Sequence, residues 1–176
     1  MEQIYQTYLN IIKNICTDSN DPVSVTPEQF PALANLAQEH CTVPFVLPCL
    51  RSASVYPSMK HKVKEMMLNY YQIEHFTRTT VSLLKENHID CYLLKGLSLA
   101  DCYPVPEYRK LGDLDLYLAE PEMLSQAQTV LESNGYILQD ELSDHHVTYY
   151  YTFPKTGRRF ILELSDSTST AEPMRS

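Results

Sequence analysis

The chain has 176 residues, of which 44% are apolar and 20% charged. A chain of that size is one domain with at most an appendage; it buries roughly 70% of its unfolded surface and needs no disulfide or structural metal to fold, and its apolar content excludes disorder throughout. With 14 basic and 22 acidic side chains the net charge is −8, which excludes broad nucleic-acid binding by phosphate neutralisation but leaves room for a local basic pocket.

Cys16, Cys41, Cys49, Cys91 and Cys102 are odd in number and form no C-x-x-C pair, which argues against a disulfide framework and a cysteine zinc site. Most sit in apolar stretches, which predicts small buried hydrophobes. No apolar run follows a basic start and none approaches 20 residues. The expectation is a cytoplasmic chain with no signal peptide and no membrane partner.

The first half reads helical. Ile4, Tyr8, Ile11, Ile12 and Ile15 recur at helical spacing over residues 1–17. Thr26, Pro27 and Gln29 form a helix-start signature for a helix running to about His40. Pro44 and Pro48 break the following stretch into short pieces, and one long helix is predicted from Ser58 to about Asn87, with Met59, Val63, Met66, Met67, Tyr70, Ile73, Phe76, Val81 and Leu84 on a recurring face.

The second half changes period. Cys91 to Leu94 reads as a buried strand ending at Lys95-Gly96, and Leu97 to Tyr103 as a short helix stopped by Pro104. Asp113 to Leu118 alternates as a strand, and Pro121 opens a helix capped by Asn134-Gly135. Tyr136 to Leu138 is a strand, and a hairpin joins His145–Phe153 to Arg158–Leu164 through a turn at 154–157. No internal repeat is visible. The fold class is α+β, a mixed β-sheet with flanking helices preceded by a helical N-terminal region. The division is 1–87 helical, 88–164 α/β core and 165–176 a Ser/Thr-rich disordered tail.

The chemistry concentrates between Leu94 and Leu116. Asp113 and Asp115 point to one side of their strand, with Cα atoms roughly 6.5–7 Å apart. Two carboxylates at that spacing bridge a hard dication such as Mg²⁺, which completes its shell with water and substrate phosphates. Leu114, Leu116 and Leu118 face the other way, into a core. Gly112 ahead of the pair permits close backbone approach. An isolated Asp-x-Asp is more often a solvated strand end, but three features add to it. Gly96 between strand and helix offers free N–H groups to phosphate. Arg109, four residues before Asp113, is placed as a bidentate phosphate donor. Glu163 lies between Leu162 and Leu164 in an apolar strand, where a carboxylate needs a partner or a metal.

Leu93-Leu94-Lys95-Gly96, Tyr103-Pro104, Arg109 and Gly112-Asp113-Leu114-Asp115-Leu116 resemble the uncharacterised nucleotidyltransferase family, within the nucleotidyltransferase fold of the DNA polymerase beta superfamily. Phe160 to Leu164 resembles that family's later acidic strand, and the helical first half is also similar. The resemblance implies that Asp113 and Asp115 are metal ligands and that Glu163 is the third acid, a ligand or the base for the acceptor hydroxyl. It implies Gly96 as the phosphate-turn glycine, with Lys95 and Arg109 on the triphosphate and Ser98 and Gly112 completing the nucleotide site. The implied cofactor is Mg²⁺ or Mn²⁺, two ions roughly 3.5–4 Å apart. The implied reaction is transfer of a nucleoside monophosphate from an NTP to an acceptor, a small molecule or a protein, with release of pyrophosphate.

Two departures stand beside the resemblance. Leu97 follows Gly96 where the superfamily turn usually has Gly or Ser, with Ser98 one position later, and the acidic strand is followed by a polar tail rather than by further helices. These motivate the alternatives: a fragment, a catalytically reduced NTP-binding module, or a protein-interaction module such as an antitoxin-like partner. Other residues have simpler roles. His145 and His146 face opposite sides of a strand and do not chelate together. Tyr149, Tyr150 and Tyr151 are strand formers before they are a base-stacking platform. Lys60, Lys62 and Lys64 read as a solvated helix face, and Cys91 and Cys102 lack a neighbouring base.

Overall fold

The computed structural model describes residues 2–19, 21–139 and 147–166. His145, His146 and residues 167–176 of the expected tail lie outside the described residues. The chain divides into two compact units, residues 1–70 with 102–110, and residues 71–101 with 111–176.

The first unit is helical. Helix α1 (Glu2–Cys16) buries Tyr8 and Ile11, with Ile4, Ile12 and Ile15 half-buried beside them. A 3₁₀ turn (Pro27–Gln29) leads into α2 (Phe30–Glu39), and the Gln29 side chain accepts a hydrogen bond from the Thr26 N–H at 3.0 Å, the return arm of a capping box. Pro44 and Pro48 do not abolish helical structure. They sit in the first turns of α3 (Val43–Val46) and of a 3₁₀ turn (Leu47–Leu50), where a missing N–H goes unnoticed. Leu33, Ala37, Val46, Leu50, Met59 and Val63 form the core of this unit. Met59 and Val63 come from the first half of α4 (Tyr56–Glu86), the long uninterrupted helix that the periodicity predicts. Lys60, Lys62 and Lys64 are exposed on it, as a solvated face requires.

The cysteines correct one expectation. All five are free and none is buried; Cys16 and Cys102 are exposed. Cys16 closes an amphipathic helix and Cys102 lies in a turn, so apolar neighbours in sequence did not place either thiol in a core.

The second unit carries one five-stranded mixed sheet. Its strands are β1 (Cys91–Leu93), β2 (Leu114–Leu118), β3 (Ile137–Leu138), β4 (Val147–Thr152) and β5 (Arg159–Ser165), in the order β1-β2-β5-β4-β3. Among the described residues, only β2 and β5 pair in parallel. Between β1 and β2 the chain forms α5 (Leu97–Ala100), shorter than the stretch to Tyr103 that the sequence suggests. After β2 a 3₁₀ turn (Pro121–Met123) opens α6 (Leu124–Ser133).

One sheet face is core: Leu114, Leu116, Leu118, Tyr149, Phe160, Leu162 and Leu164 are all buried. Phe76 of α4 stacks on Phe160 at 5.1 Å and on Tyr136 at 6.1 Å between ring centroids. Thr80, fully buried on the same helix, bonds the Tyr136 hydroxyl at 2.8 Å. The opposite face carries Tyr92, Ile137 and Ile161, all exposed, and in their midst Asp115 and Glu163. The expected end of the acidic strand at Leu164 shifts by one residue, because Ser165 still pairs with Tyr117.

Candidate functional site

Strict alternation in Leu114–Leu118 sends its three leucines into the core and leaves Asp115 on the other face. Asp113 stands just ahead of the strand. Parallel pairing sets Leu114 beside Leu162 and Asp115 beside Glu163, and register partners in a parallel ladder point the same way. Oxygen atoms of Asp113, Asp115 and Glu163 accordingly all lie within 4.8 Å of one another. Had Glu163 pointed to the core face, the three-acid arrangement would have failed.

The acids differ in environment. Asp113 and Glu163 are partly exposed, whereas Asp115 is only 5% exposed. Lys95, two residues beyond β1, reaches into the cluster. Its Nζ lies 2.8 Å from Asp115 Oδ1 and 4.0 Å from Asp113 Oδ2. The hydrogen bond to Asp115 raises the Lys95 pKa above the usual lysine value, with the charges of Asp115, Asp113 and Glu163 adding to it. Asp115 Oδ2, in contrast, is buried with no hydrogen-bond partner. A buried carboxylate oxygen left in that state is costly unless something unseen binds it. Three carboxylates facing one ammonium also leave an excess of negative charge if all are ionised. An all-oxygen set of this kind suits a hard dication such as Mg²⁺ or Mn²⁺, and Asp113, Asp115 and Glu163 are the residues that could hold it.

The remaining sequence-derived residues fall in several places. Gly96 caps α5 with φ +68° and ψ −111°, a conformation that favours glycine, and a Cβ there would lie 3.8 Å from the Asp113 carbonyl oxygen. Ser98 turns its hydroxyl back onto the Leu94 and Lys95 carbonyls, both at 3.4 Å. Among the described residues, no atom beyond its chain neighbours lies within 4 Å of a Cβ placed at Gly112, so that position opens onto free space. Arg109 belongs to the first unit, where its guanidinium lies over the Tyr103 ring at 5.6 Å and donates to the Tyr103 hydroxyl at 3.3 Å.

The sequence puts Lys95 near the acids, but neither its direct ion pair with Asp115 nor the neighbouring Thr148 is legible there. The direct ion pair between Lys95 and Asp115 depends on β1 pairing antiparallel with β2, with the Leu94 N–H donating to the Asp115 carbonyl. Thr148 of β4 is the register partner of Glu163 on its other side. Only the strand order reveals either one. The tyrosine run divides as strand alternation demands: Tyr149 is buried, while Tyr150 faces the other way with the Arg159 guanidinium 4.8 Å from its ring centroid.

No helix among the described residues is long and apolar enough to cross a membrane. A search of curated proteins gave no match. The family described as uncharacterised nucleotidyltransferase matches residues 26–173, a span that includes every strand of the sheet and all three acids. The α+β architecture, the acidic face and this match agree, and the chain belongs to the uncharacterised nucleotidyltransferase family.

Proposed function

We propose that the protein is a metal-dependent nucleotidyltransferase that moves a nucleoside monophosphate from an NTP to an acceptor, a small molecule or a protein. The observation that carries this reading is the convergence of Asp113, Asp115 and Glu163 around a buried, unpartnered Asp115 oxygen. In the reaction the acceptor oxygen bonds to the α-phosphorus, the bond from that phosphorus to the bridging oxygen breaks, and pyrophosphate leaves. When bound, Mg²⁺ or Mn²⁺ supplies Lewis-acid charge neutralisation at the phosphates and at the attacking oxygen.

The chain's own groups divide the work. Asp113 and Asp115 hold the metal, Asp115 as the fixed ligand because it is buried. Glu163, more exposed, either completes the ligand set or accepts the acceptor's proton at a carboxylate oxygen. Gly96 turns the chain at the N-terminus of α5, Lys95 offers an ammonium to the triphosphate, and Ser98 and Gly112 complete the proposed nucleotide site.

The test incubates the protein with each NTP, Mg²⁺ or Mn²⁺ and a panel of acceptors, and reads pyrophosphate together with the mass gain of the acceptor. The wild type should release pyrophosphate and Asp113→Asn with Asp115→Asn should not. Binding of metal and NTP with no transfer to any acceptor would favour the NTP-binding module. Equal release by the double variant would remove the acids from the chemistry.

A further inference from the structure

We infer that Lys95 is a resident counter-ion of the acidic cluster, occupying the cation's place when no metal is bound and exchanging onto the triphosphate when metal and nucleotide arrive together. This rests on the proposed function and adds an order and a coupling to it.

The geometry separates a fixed partner from a movable one. The Asp115 side chain is 7% exposed and the Lys95 side chain 53% exposed, although the two atoms are 2.8 Å apart. Asp115 has no solvent to turn to. Lys95 has a four-carbon stem, sits past the end of β1, and precedes Gly96. Its ammonium also lies 4.0 Å from Asp113, so it spans the two carboxylates that would bridge a dication. A divalent cation bound by both aspartates would therefore meet a positive charge at close range, and the two cations compete. Lys95 nevertheless leaves Asp115 Oδ2 unpartnered. One ammonium thus satisfies only part of the site.

The exchange needs an anion to receive Lys95. A triphosphate supplies one, and the first turn beyond Gly96 is where the proposed nucleotide site lies. Metal without nucleotide has to displace Lys95 into water, whereas metal with nucleotide moves it from one anion to another. Metal and NTP then strengthen each other's binding by the same factor, as linkage requires. The free protein is guarded against binding metal alone.

The test is Mn²⁺ titration, read by the electron paramagnetic resonance of free Mn²⁺, on wild type, Lys95→Met and Lys95→Arg. Each protein is titrated alone and with the α,β-methylene analogues of the four ribonucleoside triphosphates. Lys95→Arg keeps the charge and should bind Mn²⁺ alone as weakly as the wild type. Lys95→Met should bind Mn²⁺ alone ~10-fold more tightly or better, and the analogue should tighten its Mn²⁺ binding less than it does for the wild type. Circular dichroism melting of each variant confirms that folded protein is being compared. If Lys95→Met binds Mn²⁺ alone no better than wild type while the wild type still binds Mn²⁺ with an analogue, the exchange is wrong and the nucleotidyltransferase reading stands. If the wild type binds no Mn²⁺ even with the analogues, both fall.

Discussion

Asp115 and Glu163 stand side by side as register partners on β2 and β5, although one belongs to the second strand in the chain and the other to the fifth. Each is placed by flanking leucines whose burial fixes which face the acid takes. Core packing therefore sets the geometry of the proposed metal ligands.

Asp115→Asn should remove metal-dependent stabilisation while leaving the fold intact, because it preserves shape and the leucine pattern. For wild type, metal with NTP at a hundredfold excess over Kd should add about 2.7 kcal/mol. Thermal melting with and without metal and NTP reads the difference. A ligand-induced rise in Tm for Asp115→Asn equal to that of wild type would count against the assignment. Glu163→Gln should lower pyrophosphate release by ~100-fold or more if it accepts the proton, while leaving much of the Tm rise in place.

Gly96→Ala tests the turn rather than the charge. At φ +68° and ψ −111° an L side chain is strained, and the nearest atom to the new Cβ is an ordinary 3.8 Å away. The cost is conformational, about 1–3 kcal/mol. Urea unfolding should show that loss, and binding of NTP analogues should weaken with it. A neutral substitution would mean that the turn relaxes without consequence.

Thr80 and Tyr136 form a buried hydroxyl pair between α4 and the residue just before β3. Thr80→Val leaves the Tyr136 hydroxyl without its partner and should destabilise by about 1–3 kcal/mol. Adding Tyr136→Phe removes the orphan and should recover part of the loss. A double-mutant cycle in urea measures the coupling; additive effects would show that the bond contributes little.

Burial pushes the Tyr136 and Tyr149 hydroxyls up to about 12 from an ordinary value of 10.0. Between those values the folded chain holds protons that the unfolded chain has released. Stability therefore falls as pH rises from about 10 towards 12, and these groups contribute no pH dependence below that window. Urea midpoints measured from pH 8 to 11.5 should drop above pH 10, and Tyr149→Phe should drop less steeply. Parallel curves for the two proteins would clear Tyr149 of any part in alkaline unfolding.

Much of this molecule was readable in its residues. The alternation of Leu114, Leu116 and Leu118, the Glu163 between two leucines, and the unbroken period of α4 are local signals, and local signals survive into the fold. What failed to show was set at a distance. Thr77 and Thr80 are buried on α4 among its apolar residues, which no hydrophobic pattern marks. The Lys95–Asp115 contact needs the antiparallel register of β1 on β2, and register is a property of the sheet.

The position of β5 has a consequence for a chain emerging from the ribosome. This strand follows the other four in sequence but lies between β2 and β4 in the sheet. Until it is synthesised, β2 lacks its parallel neighbour, and Asp113 and Asp115 lack Glu163. A nascent chain that stops short of Phe160 therefore holds a row of leucines with one unpaired edge, the kind of surface that holdase chaperones cover. Insertion of β5 closes that edge and completes the acid cluster in one event. The same step that pairs the inner edge of β2 gives the molecule its third carboxylate.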